Sequence, residues 1–412
     1  MIRPESPRAI VATICSAEVL SMLSVAAFPA LLPLFIAEWS LSKTDAGWIN
    51  GTYYLGYLLA VPFLVSLTDR KPAHQIYFIC MFLSGAAALA FAFLAEGFWT
   101  AMIFRTLSGI GLAGTYMPGL KLLTDQLERI RPGADHSRSV AFYTSSFGLG
   151  MSLSYFIAGE LTELWNWQVA FTALGIGPML ALIYMGLILP REKAVTHHRP
   201  DTHLLDFRPV FRCRPAMGYV LAYTVHNFEL FAFRSWIVAY LAFALVRHPG
   251  ESLIVAATTI AAASNIVGLP ASILGNELSR RIGRHKAITA IMWTSACFAV
   301  GLGFLIDAPL WVLTIAVIMY GLLITGDSSS ITAGAVAEAP SGYKGATLAV
   351  HACIGFMGSF LGPLVFGMVL DGASPVGISG GETVNSWVWA FSVSAIVAAL
   401  GPVFLYLLRR RN

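Results

Sequence analysis

Seven ionisable side chains interrupt stretches of sequence that are otherwise apolar: Glu18, Arg105, His226, Glu229, Arg234, Asp327 and His351. An ionisable group at membrane depth costs about 2.5 to 3.5 kcal/mol on insertion scales, so each marks a candidate site. Carboxyl and imidazole groups there can carry protons, and a guanidinium can meet an anionic solute. His226 and Glu229 are three residues apart and share one helix face, which suits proton exchange or the binding of a solute's donor groups. Arg234 follows Glu229 by five residues, about 140° around a helix, so its partner is expected on another helix or on the solute. Asp327 opens the polar run Gly326-Asp327-Ser328-Ser329-Ser330, which suits the lining of a wet cavity or the cap of a broken helix. Each residue also has a plainer reading as a neutral packing group hydrogen-bonded between helices. The expectation is proton coupling at Glu18, Glu229, Asp327 and His226, and solute contact at Arg234, Arg105, His226, His351 and Asp327.

The elements that must position these groups are membrane helices. Of 412 residues, 57% are hydrophobic and 12% charged, and the mean hydropathy is +0.71. That composition excludes a soluble enzyme. A helix needs about 20 apolar residues to span a bilayer core, so a dozen spans would take up roughly 240 residues. Apolar segments fall at 9–37, 45–67, 74–95, 99–122, 139–160 and 166–189, and after a charged stretch at 216–245, 252–275, 286–306, 309–336, 344–370 and 386–408. The predicted fold is an all-α polytopic membrane protein of twelve transmembrane helices. Two pseudo-symmetric six-helix bundles, 1–190 and 215–412, flank a cytoplasmic linker, 191–214. The segments are too long for the alternating strands of about 10 residues in an outer-membrane barrel. Cys15, Cys80, Cys213, Cys297 and Cys353 are scattered singly and read as packing residues. The first apolar run exceeds a signal-peptide core, so that span is expected to stay in the mature protein.

Charge and tryptophan set the orientation. With the N-terminus inside, 22 of the 26 Lys and Arg fall in inner segments or their flanking helix ends. Trp39, Trp48, Trp99, Trp165, Trp167, Trp311, Trp387 and Trp389 land at the opposite ends, where indoles anchor at the interface. Both termini are therefore expected in the cytoplasm, with the protein integral to the plasma membrane, taken as a bacterial inner membrane. The net charge of +4 reflects this topology and attraction to anionic membrane lipid, and gives no reason to expect nucleic acid as a partner.

Two loops echo one another. Leu67-Thr68-Asp69-Arg70-Lys71 joins spans two and three, and Leu278-Ser279-Arg280-Arg281-Ile282-Gly283-Arg284 joins spans eight and nine. In span four stands Arg105-Thr106-Leu107-Ser108-Gly109-Ile110-Gly111. The loops resemble the G-x-L-a-D-R-x-G-R-K loop of the major facilitator superfamily (MFS), and span four resembles its R-x-x-Q-G-x-G pattern, with serine for glutamine. The first loop has Val65 and Pro72 where the family has glycines, and the second has Arg280 in the aspartate position. The resemblance covers essentially the whole chain. It implies a cytoplasmic gate at Asp69, Arg70, Arg281, Gly283 and Arg284, and a central cavity lined by spans one, four, seven and ten. It also implies a proton-transfer or structural role for Arg105. Glu18 and Glu229 lie at similar depths in repeat-equivalent spans, so pseudo-symmetry would face them across that cavity, although one helical turn decides where Glu18 points. Gly109, Gly111 and Gly114, and Gly355, Gly358, Gly362 and Gly367 around Pro363, read as close-packing residues.

The function these features predict is secondary active transport of a small organic solute by alternating access, coupled to protons. Arg234 and Arg105 favour an anionic solute. The alternatives are a divalent metal ion transporter using His226, Glu229, Asp327 and His351, a drug or metabolite efflux antiporter, and a non-transporting membrane receptor. Efflux is disfavoured because Gly148 to Gly159 in span five lacks the G-P pair of the exporters' motif. No nucleophile motif, cofactor fingerprint or resident metal site points to an enzyme, so no cofactor is expected. The expected partners are solute, protons and membrane lipid, with the chain a monomer. The letters Pro4-Glu5-Ser6-Pro7-Arg8 match a sugar-porter signature at the wrong place in the chain, and His197, His198 and His203 fit a solvated linker.

Overall fold

The apolar runs fold as helices wherever proline and glycine allow. The structure, a computed structural model, describes residues 6–68, 71–134, 136–189, 207–253, 255–373 and 383–409, and every regular element among them is helical. Residues 7–38 form α1 (Pro7–Ser21), α2 (Ala27–Ala30) and α3 (Leu32–Glu38) in place of one predicted span. Pro29 and Pro33 lack the N–H that a continuous helix needs. There follow α4 (Lys43–Leu67), α5 (Ala73–Leu94), α6 (Phe98–Ile130), α7 (Ser137–Leu164) and α8 (Trp167–Ile188). A short α9 (Arg208–Arg212) leads into α10 (Arg214–Arg247), α11 (Ala257–Ile282) and α12 (Arg284–Phe304). The tenth predicted span is also broken, into α13 (Leu310–Thr325) and α14 (Ser328–Ala337), before α15 (Lys344–Gly372) and α16 (Val384–Leu408). Taken by position, these make the twelve expected spans, with α9 between the sixth and seventh.

Among the described residues, eight helical stretches are long and apolar enough to cross a membrane. The first span fails because it is broken, and α4, α6 and α7 carry glycine, hydroxyl and charged residues along their length. Large apolar side chains are exposed along the helices, Phe63 at 74% and Phe93 at 70%, as a lipid-facing surface requires.

The chain divides into two compact units, Met1–Phe28 with Leu55–Leu204, and Pro29–Tyr54 with Leu205–Asn412. In the first unit, Ile10, Ile14 and Ala17 of α1 pack with Tyr77, Met81, Leu123 and Met185 from α5, α6 and α8. In the second, Val225, Met292, Ile331 and Leu405 bring α10, α12, α14 and α16 together. Residues 29–54 join the second unit through defined contacts. Asp371, near the end of α15, accepts from the Lys43 amide at 3.1 Å, the Thr44 amide at 2.8 Å and the Thr44 hydroxyl at 2.6 Å, which satisfies the free donors of the first turn of α4. Gly358 lets α15 press on α10, since a Cβ there would collide with the Thr224 carbonyl.

Candidate functional site

In the second unit, the buried centre of α10 gathers most of the charged groups singled out from sequence. Glu229 is 2% exposed. Its Oε1 accepts from the Ser295 hydroxyl of α12 at 2.7 Å and from the Tyr320 hydroxyl of α13 at 2.8 Å. One turn earlier on α10, His226 Nδ1 lies 2.8 Å from Asp327 Oδ1, a close contact that is not an aligned hydrogen bond. Asp327 stands at the break between α13 and α14, yet its side chain caps neither helix, so the carboxylate is available to His226. Glu229 is within electrostatic reach of both members of that pair.

The break itself is served by serines. Ser272 Oγ of α11 accepts from the Ser329 amide at 3.2 Å and lies 2.5 Å from its hydroxyl, and Ser279 donates to Ser330 at 2.7 Å. Ser329 and Ser330 of the predicted cavity-lining run therefore bond to α11, and Asp327 remains as the run's charged member.

His351 of α15 reaches the same region through an aromatic stack. Its ring lies 4.0 Å from that of Tyr223, which also stacks at 5.8 Å on His226, and His351 Nε2 is 3.3 Å from the Thr332 hydroxyl. His226 Nε2 and His351 Nδ1 are buried without a hydrogen-bond partner among the described residues, and the Asn227 side chain lies beside Tyr223. Buried polar atoms left in that state are costly, so both ring nitrogens call for a partner such as a ligand or water. Arg234, one to two turns further along α10, places its guanidinium 5.2 Å above the Phe231 ring.

In the first unit, Glu18 of α1 is fully buried. The Tyr143 hydroxyl of α7 lies 2.9 Å from Glu18 Oε2 and 2.8 Å from the Tyr116 carbonyl, so its single proton is contested. Ser21 adds a 3.4 Å contact, and Glu18 Oε1 has no partner among the described residues. Arg105 of α6 has a different task. Its Nη1 donates to the Val25 carbonyl at 3.0 Å, and the Ala26 amide donates to Ser154 Oγ at 3.0 Å, so both side chains satisfy backbone groups freed where α1 ends. The guanidinium also lies 5.9 Å over Phe28.

Asp69 and Arg70 of the expected gate lie outside the described residues, as do His197, His198 and His203 of the linker. In the second gate loop, Arg281 is exposed and pairs with Glu277 at 3.2 Å, and Arg284 lies within electrostatic reach of Tyr219. Gly283 sits at φ 95° between α11 and α12, a conformation that glycine adopts without strain. The sequence reading missed the partners Tyr143, Tyr223, Asn227, Ser295 and Tyr320, whose only signal was a polar group inside an apolar run. Among the described residues, no group of three or more His, Cys, Asp or Glu side chains is placed to hold a metal ion, so His226, Glu229, Asp327 and His351 do not form one ligand set.

The model for the Major Facilitator Superfamily matches this chain over residues 14–363. The chain belongs to this superfamily. The MFS fold is also seen in solved structures similar to this chain. The nucleoside transporter NupG superposes with a TM-score of 0.76 over 98% of this chain and 100% of that one, at 13% identity. A bacterial homologue of the human lysosomal transporter Spinster gives 0.72 over 99% and 96%, at 15% identity. In sequence, the uncharacterized MFS-type transporter YcaD of Salmonella arizonae and that of Salmonella enteritidis are each 26% identical over 165 residues. Those matches span 38% of this chain and 41% of each relative. Family and helices together make this an integral membrane protein.

Proposed function

We propose that this MFS protein is a secondary active transporter that moves a small organic solute by alternating access, with proton movement coupled through the second unit. The observation that carries the reading is Glu229 held between Ser295 and Tyr320, one turn from the His226–Asp327 contact. Two carboxyls and an imidazole so close together can pass a proton among themselves, and a change in the charge of one alters the other two. The unpartnered ring nitrogens of His226 and His351 supply hydrogen bonds for a polar organic solute beside that relay. Arg234, one to two turns away, favours a solute with an anionic group. Glu18, tied to Tyr143 and Ser21, serves the packing of the first unit in this reading, and Arg105 supports its broken helix. The gate residues Asp69, Arg70, Arg281, Gly283 and Arg284 are assigned to the cytoplasmic face, with both termini inside and the protein a monomer in a bacterial inner membrane.

The test is transport by purified protein in liposomes, screening polar organic solutes and including nucleosides, because the similar NupG is described as a nucleoside transporter. The expected result is solute accumulation driven by an imposed pH gradient and abolished by a protonophore. Glu229→Gln is expected to keep solute exchange while losing accumulation. Accumulation that ignores the pH gradient, or is unchanged in Glu229→Gln, overturns the coupling.

A further inference from the structure

A groove at one end of the second unit has the chemistry of an anion site with an apolar flank. Its cavity of about 470 Å³ lies where α12 begins and α16 ends, the end that the distribution of Lys and Arg assigns to the cytoplasm. Lys286, His285 and Thr289 line it from the first turns of α12, and Arg409 lines it from the end of α16. Among the described residues, neither Lys286 nor Arg409 has a carboxylate partner. The lining carboxylate, Glu338, shares the surroundings of Tyr219 with the nearby Arg284. Gly283 at the N-cap of α12 provides no side-chain cap, so the amides of the first turn also favour an anion there.

The groove also has an apolar side. Pro402 and Leu405 line it there. Tyr406, 61% exposed, lies under the Arg409 guanidinium at 4.2 Å, which holds that cation at the rim, and Leu407 beside it is 57% exposed. Arg214 of α10 adds a further cation, anchored to the Leu407 carbonyl at 3.3 Å. A phosphate between Lys286, Arg409 and the first turn of α12, with an acyl chain along Leu405 and Tyr406, would use both halves of the surface.

We infer that this groove binds the phosphate headgroup of an anionic glycerophospholipid. The site is separate from the Glu229 cluster and stands or falls independently of the transport reading. Each cation near a headgroup contributes about 1 kcal/mol, so loss of two predicts a dissociation constant raised about 30-fold.

The experiment is lipid titration of the full-length protein in detergent, followed by native mass spectrometry and thermal unfolding. The probes are phosphatidylglycerol, phosphatidylcholine and inorganic phosphate. Phosphatidylglycerol is expected to bind and raise the melting temperature, and neither other probe is expected to match it. The double variant Lys286→Ala/Arg409→Ala should lose that rise while unfolding like the parent in phosphatidylcholine. The control Arg129→Ala/Arg131→Ala, on the first unit, should keep it. Equal binding of the two lipids, a full effect from phosphate alone, or an unchanged response in the Lys286/Arg409 variant would each overturn the inference. If the double variant fails to fold, Lys286→Gln alone, expected to weaken phosphatidylglycerol about fivefold, decides the question in the same assay.

Discussion

The first and tenth spans are broken, each with charged residues beside the break, and the two breaks are served differently. In the first unit, Arg105 and Ser154 bond directly to backbone groups at Val25 and Ala26, and Glu18 is tied to Tyr143 and Ser21. In the second, Ser272 of α11 accepts from the Ser329 amide and Ser279 bonds the Ser330 hydroxyl, while Asp327 meets His226 and Glu229 accepts from two hydroxyls. In the proposed reading, Arg105 serves structure in the first unit and the His226, Asp327 and Glu229 cluster serves chemistry in the second. Residues at equivalent depth in a duplicated fold therefore need not share a role, because a role depends on which neighbour satisfies the interrupted helix.

Five substitutions sharpen or break this contrast. The largest effect is expected at Glu229→Gln, which should lower concentrative uptake on the order of 100-fold in a liposome flux assay while leaving the melting temperature close to that of the parent. Next, Asp327→Asn and His226→Ala should each reduce uptake by about tenfold, and the double variant should be no worse than the stronger single one, since both act on one contact. In the first unit, Arg105→Met should act on stability, because the Val25 carbonyl loses its donor. The expected cost is about 2 kcal/mol in denaturant unfolding, partly restored by Arg105→Lys. Tyr143→Phe removes a hydroxyl from Glu18 and from the Tyr116 carbonyl and is expected to cost about 1 kcal/mol by the same measurement, with coupling retained.

A surface pair gives the zero of the scale. Asp307, exposed between α12 and α13, is hydrogen-bonded by Arg247, which holds its carboxyl below the usual range. A depressed carboxyl contributes stability above its unfolded value and loses it as pH falls through the folded one. Exposure and salt screening leave little of that contribution. Asp307→Asn is expected to leave thermal unfolding at neutral pH unchanged.

Much of the architecture was legible because apolar length and Lys/Arg placement are strong signals. The six segments before the linker and the six after it recur as helices, with the first and tenth broken. The prolines at 29 and 33 and the Gly326-Asp327 pair held the sign of those breaks, but periodicity alone treats such residues as kinks and does not say which neighbour satisfies the freed backbone. For the same reason Arg105 was legible as a buried cation and its bond to Val25 was not, since that depends on the packing of α6 against α1. His226 and Glu229 were readable as one helix face. That Asp327 meets His226 while Ser295 and Tyr320 meet Glu229 is a matter of helix rotation, for which sequence spacing carries no information.

The central claim is that the second unit carries the coupling and the first does not. It is tested most directly by recording solute-driven proton uptake into liposomes with Glu229→Gln and Glu18→Gln side by side, at equal protein incorporation. The account predicts no proton signal with Glu229→Gln and a signal near that of the parent with Glu18→Gln. Loss of the signal with Glu18→Gln and its survival with Glu229→Gln would contradict it.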